Sequence, residues 1–143
     1  MIQRIQSIFL FLAGACALVL FALPLATTPT AQASSPLFAD AAFEVQDGPT
    51  MMGAFGLAGL GLLVAIFLYR NRSLQMNITR LGLFLAGAGM GAAAYRYFND
   101  PAASLAQPAV GIAFPVLAIL FGFLAYRNIK KDDKLVKSID RLR

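Results

Sequence analysis

Four apolar segments, each close to the length of a bilayer crossing, constrain this chain more than any other feature. They run from about Ile8 to Leu25, Met51 to Tyr69, Leu81 to Tyr97 and Val110 to Tyr126. A helix needs about 20 apolar residues to cross the hydrocarbon core of a membrane. Backbone groups in lipid find no water, so such segments are read as helices, and none has the two-residue alternation of a membrane strand. The segments predict an all-α integral membrane protein: one domain over residues 1–143 with four transmembrane helices. An outer loop over residues 26–50 and a tail over 127–143 complete it.

Composition argues the same way. Hydrophobic residues make up 59% of the chain and charged ones 13%, roughly half the charged share of a soluble domain. A soluble chain this apolar would expose large sticky patches, whereas a lipid-facing surface needs them. The net charge of +5 does not point to nucleic acid, because the cations sit at the ends of apolar runs.

Those cations set the orientation. Arg4 precedes the first span; Arg70, Arg72 and Arg80 lie between the second and third; seven more follow the fourth, making eleven of the 12 basic residues. The positive-inside rule makes their side cytoplasmic, with both termini there. The other side holds Asp40, Glu44, Asp47 and Asp100, with Arg96 as its basic residue. Tyr69 and Tyr126 fall at the inner interface, Tyr95 and Tyr97 at the outer, as an aromatic belt requires. Ala31-Gln32-Ala33 has the form of a signal-peptidase site, but the apolar run before it, about 18 residues, exceeds the usual 7 to 15 of a signal core. Retention of the first span is therefore expected. A lipid-anchoring role for Cys16 fits poorly, since the apolar run continues past it.

The spans differ in strength. The first has eleven Leu, Ile, Val or Phe residues and inserts readily. The third has Leu81, Leu83, Phe84 and Leu85 followed by a run of Gly and Ala from Ala86 to Ala94 around Met90. Small residues four apart let helices approach closely, so Gly87 with Gly91 is expected to make span three the packed centre of the bundle. Gly61 with Ala65, and Ala118 with Gly122, are expected to face it. Pro115 is expected to bend span four. Phe43 to Gly48 alternates briefly, as a short strand before a turn does. In the tail, Ile129, Leu135, Val136, Ile139 and Leu142 share one helical face, which predicts an amphipathic cytoplasmic helix at the interface.

The two ends and the inner loop carry a resemblance. Met1-Ile2-Gln3-Arg4-Ile5-Gln6-Ser7, Tyr69-Arg70-Asn71-Arg72-Ser73-Leu74-Gln75 and the tail from Asn128-Ile129-Lys130-Lys131-Asp132 to Asp140-Arg141-Leu142-Arg143 resemble domain-of-unknown-function family 4293. The resemblance implies a four-span, multi-pass protein of the bacterial inner membrane and brings no activity with it.

Chemistry-bearing residues are sparse. With one cysteine and no histidine, this chain alone cannot assemble the usual zinc or iron–sulfur ligand sets or a histidine-ligated haem, so no cofactor or metal is expected. A membrane-embedded enzyme would lack parts, since no Ser or Thr in the spans has a base beside it. Arg96, near the outer end of span three, is read as an interfacial anchor or a partner contact, with Asp100 one turn on and able to pair with it. Asn77-Ile78-Thr79 matches a glycosylation sequon but falls on the cytoplasmic side. Lys130, Lys131, Lys134, Lys137, Arg141 and Arg143 give the tail a basic face for anionic lipid or a partner. The expected function is non-enzymatic: an accessory or scaffold subunit packed against other membrane subunits or itself. The alternative is a small oligomeric transporter or channel, although a pore needs polar lining that these spans barely offer.

Overall fold

A computed structural model describes the backbone of residues 2–140 and the side chains of residues 5–138. Four helices form the body: α1 (Ile2–Val19), α2 (Pro49–Phe67), α3 (Arg72–Phe98) and α4 (Ala113–Asp140). Each packs on two neighbours, in the cyclic order α1–α2–α3–α4, giving an up-down-up-down bundle. The fold is all-α apart from three two-residue strands: β1 (Ala26–Thr27), β2 (Ala42–Phe43) and β3 (Gln107–Pro108). β1 is the central strand and pairs antiparallel with both others, Ala26 opposite Phe43 on one side and Pro108 on the other.

Among the described residues two helices are long and apolar enough to cross a membrane, α2 and the helical stretch Val110–Ser138; Ile5–Val19 is a shorter apolar helix. The first apolar run continues to Leu25, but its helix ends at Val19 and turns over Leu20–Ala22 ahead of Pro24. Its last residues serve the cap instead. Leu20, Leu25 and Ala26 join Leu37, Phe38, Phe43, Val45, Met51, Phe55 and Ala102 in one buried cluster. At the opposite end Leu10, Ala13, Leu62, Ala65, Ala125 and Ile129 form a second.

Several expectations need correction. The connection between α2 and α3 is short, because Arg72 and Arg80 already lie on α3. Asn71 starts that helix, its Oδ1 accepting the Leu74 N–H at 3.1 Å. Two further turns of α3 thus precede the apolar part, with Gln75 and Thr79 buried. Pro115 is the third residue of α4, where an N–H has no intrahelical acceptor to lose, so no mid-span bend arises from it. The tail is no separate helix: α4 runs unbroken for 28 residues, about 42 Å.

Nor is α3 the packed centre, since the four helices form a ring. A Cβ added at Gly87 or at Gly91 would meet nothing within 4 Å. The α3 residues turned inward are Gly82, Ala86 and Gly89. At Gly89 the Phe55 ring of α2 lies 3.0 Å from where a Cβ would sit, and at Gly82 Leu62 lies 2.9 Å away. Gly61 meets only Ile78, at 3.9 Å, while Ala65 is fully buried. Ala118 is fully buried too, and at Gly122 Leu83 of α3 would be 2.8 Å from an added Cβ.

The tightest crossing lies between α1 and α2. A Cβ on Gly14 would lie 2.8 Å from Leu63, and one on Gly59 would lie 2.7 Å from Leu18. Each glycine thus receives the leucine four residues beyond the other, a reciprocal fit of antiparallel helices. Beside the larger side chains of the two clusters, the bundle interior holds many small residues: Ala13, Ala17, Ala58, Ala65, Ala118 and Ala125 are all fully buried. Large apolar side chains also face outward, with Phe67 76%, Phe84 72% and Phe98 80% exposed.

Candidate functional site

The candidate site lies at the capped end, where α3 and α4 diverge beneath the three-stranded sheet. Two loops are tied there by a buried polar staple. Asp100 sits just past α3, and its carboxylate accepts from Ser35 Oγ at 2.8 Å and from the Ala102 N–H at 2.8 Å. Ser35 Oγ in turn accepts from the N–H groups of Leu37 and Phe38, at 3.2 and 3.0 Å. Ser35 and Asp100 are both buried, so this chain satisfies polar groups that water cannot reach. The expected pairing of Asp100 with Arg96 is therefore corrected: the carboxylate belongs to Ser35, 65 residues away in sequence.

Arg96 reaches toward α2 instead. Its Nη1 donates to the Asp47 carbonyl at 2.7 Å, and its guanidinium lies against Gly48, at the start of α2. The Asp47 carboxylate accepts the Glu44 N–H at 2.7 Å. Its pKa is raised, chiefly by burial and to a smaller degree by Asp40; the Glu44 N–H and Arg96 pull the other way. Ala41 ends the loop before β2 in a left-handed conformation, φ 67°, and its carbonyl accepts the Thr28 N–H at 2.9 Å. The entry to α4 is locked to the exit of α1. Gly111 N–H donates to the Pro24 carbonyl at 3.1 Å, and a Cβ on Gly111 would overlap that same carbonyl.

Below this cap lies an apolar groove of about 300 Å³. Met90, Ala93, Ala94 and Tyr97 of α3 form one wall, Pro115 and Val116 of α4 the other, and Phe43 and Pro108 the roof. Tyr97 is held there by its hydroxyl, which donates to the Ala103 carbonyl at 3.2 Å, and by edge contacts with Phe38 and Phe98. A lining of hydrocarbon with so little polar character suits an acyl chain or an apolar helix face, not a polar solute. Beside the groove, the outward face of α3 carries Gly87 and Gly91 with open space over both.

The other end is basic. Arg80 donates to the Tyr126 hydroxyl through Nε at 3.0 Å and stands over its ring, joining α3 to α4. Gln75 Nε2 donates to the Ala65 carbonyl at 2.9 Å, which also accepts the Leu68 N–H at the end of α2. Arg72 pairs with Asp132 at 3.7 Å and Lys137 with Asp133 at 2.7 Å. Lys130, Lys131 and Lys134 are exposed on α4 and have no carboxylate partner among the described residues. Arg141 and Arg143 lie outside the described residues.

Sequence reasoning missed Ser35, Gln75 and the Gly14–Gly59 crossing. A serine two residues before Leu37-Phe38 in a loop carries no distinctive pattern, and Gly14 has no glycine four residues away. No group of three or more metal-ligating side chains occurs among the described residues.

A family model described as a domain of unknown function (DUF4293) matches residues 2–142. The chain belongs to this family. No curated protein and no solved structure matches it significantly. DUF4293 thus brings no chemistry to the groove or the staple, and their reading rests on geometry.

Proposed function

We propose that this DUF4293 chain is a four-span protein of the bacterial inner membrane, with both termini cytoplasmic. It acts without catalysis, as an accessory or scaffold subunit bound to other membrane chains. The membrane reading is supported by the large apolar side chains on the outer surface of the helices: Phe11, Leu57, Leu60, Phe67, Phe84 and Phe98 are all exposed. Water would penalise that arrangement, whereas lipid accepts it and small interior residues let helices close up. α3 falls short of the apolar helices by itself, and lying between α2 and α4 lets it cross with them.

The association reading is carried by one observation, the open small-residue face of α3. Glycine in a helix interior costs up to about 1 kcal/mol relative to alanine. Nothing among the described residues packs over Gly87 or Gly91, so a helix from another chain is the partner that gives them a role, with the groove beside them admitting its side chains. Extraction in mild detergent, affinity capture of a tagged copy and mass spectrometry test this. The expected result is a stoichiometric membrane partner retained by the native chain and lost from Gly87→Leu/Gly91→Leu, with the bundle's melting temperature unchanged. A chain recovered alone, or a partner indifferent to both substitutions, sinks the accessory reading.

A further inference from the structure

The inner end of α4 sorts its charges by face. Arg127, Lys130, Lys131 and Lys134 follow the i, i+3, i+4, i+7 spacing that shares one side of a helix. All four are exposed, and none has a carboxylate partner among the described residues. Asp132 and Asp133 lie between them in sequence but are turned off that side, one to Arg72 of α3 and the other to Lys137. A segment that carries two carboxylates among its cations therefore presents a purely cationic stripe. The same side continues toward the middle of the helix through Phe123, Leu120 and Val116, four, seven and eleven residues before Arg127, and all three are exposed. Leu124 and the four cations line a shallow depression of about 460 Å³.

One outward face of α4 is thus apolar for about three turns and cationic for the next two. That order is amphipathic along the helix axis. Val116 to Leu124 covers about 12 Å, close to one hydrocarbon leaflet, and Arg127 to Lys131 adds about 6 Å, close to one headgroup layer. We propose that this face binds an anionic phospholipid of the inner leaflet, the phosphodiester held by Arg127, Lys130 and Lys131 and an acyl chain along Leu120, Phe123 and Leu124. The inference rests on the membrane reading above. A soluble anion would match the cations and leave the apolar continuation unexplained. Lys137, neutralised by Asp133, is not part of the site.

The test is electron spin resonance on the full chain reconstituted in liposomes with spin-labelled phosphatidylglycerol or phosphatidylcholine. The population of lipid immobilised at the protein is the readout. The native chain is expected to prefer the anionic lipid by at least about fivefold, the contribution of one well-placed cation. Arg127→Gln/Lys130→Gln/Lys131→Gln is expected to fall to parity, while Lys137→Gln and the charge-conserving Lys130→Arg/Lys131→Arg keep the preference. Equal immobilisation of both lipids by the native chain overturns the site, as does a preference that survives in the triple variant. A chain that remains in the aqueous fraction after alkaline carbonate washing overturns the membrane reading itself, a result distinct from either.

Discussion

At the scale of single residues, the cap depends on a few side chains whose partners are distant in sequence. Ser35→Ala strands the Leu37 and Phe38 N–H groups and removes a donor from the buried Asp100 carboxylate. A buried unsatisfied group costs about 1–3 kcal/mol, so a loss of about 2–3 kcal/mol is expected on thermal unfolding in detergent. Faster hydrogen exchange at residues 37 and 38 would accompany it. Unchanged stability and exchange would mean that the staple contributes nothing. Ala41→Gly should act in the opposite direction, because a left-handed alanine costs roughly 1–2 kcal/mol and glycine does not. The greater freedom of glycine in the unfolded chain offsets part of this, leaving a gain of about 0.5–1 kcal/mol.

Asp47 adds a pH dependence. Its carboxyl pKa is raised in the folded protein above the ordinary 3.8, so the folded state holds the proton more tightly than the unfolded chain does. Its ionisation therefore disfavours the cap as pH rises from near 3.8 through the raised value, and above that value the cost is fully present. Hydrogen exchange around residues 43–51 should quicken over that window beyond its intrinsic pH dependence. Asp47→Asn, which keeps an acceptor for the Glu44 N–H, should remove that excess.

At the scale of elements, the glycines divide into two kinds that sequence spacing does not separate. Gly59→Val forces a branched side chain into Leu18 and the facing backbone of α1, and overpacking of this sort costs typically 1–3 kcal/mol. Gly91→Leu meets open space and should leave unfolding within about 0.5 kcal/mol of the native value. Both are read from thermal melts in the same detergent. A destabilised Gly91→Leu with an intact Gly59→Val would invert the helix faces described above. The spacing of Gly87 and Gly91 is legible as a packing motif, but spacing says only that two residues share a side. Which side meets a neighbour depends on the rotation of α3 between α2 and α4, and that rotation is set by Phe55, Leu62 and Leu83.

At the scale of the whole molecule, orientation is the prediction with the widest reach. In a Cys16→Ala background, Ser34→Cys lies exposed in the capped loop and Ser73→Cys exposed at the opposite end. A membrane-impermeant maleimide is expected to label the first in intact spheroplasts and the second only after permeabilisation. The reverse pattern would turn the bundle over.

The sequence by itself determined the all-helical class and the apolar segments that become helices, because apolar length and charge placement are local properties. It also determined the segregation of basic residues to one end. The tertiary structure decided the rest. The last apolar residues of the first run went to a cap core, since Pro24 ends helical continuation and Phe38, Phe43 and Met51 supply a place to bury them. Asp100 went to Ser35 and Arg96 to the Asp47 carbonyl, choices made by loops closing over the bundle. Asp132 turned to Arg72 only because α3 and α4 both extend past the bundle's inner core as continuous helices. Such pairings form between segments far apart in the chain, where one-dimensional pattern holds no record of distance.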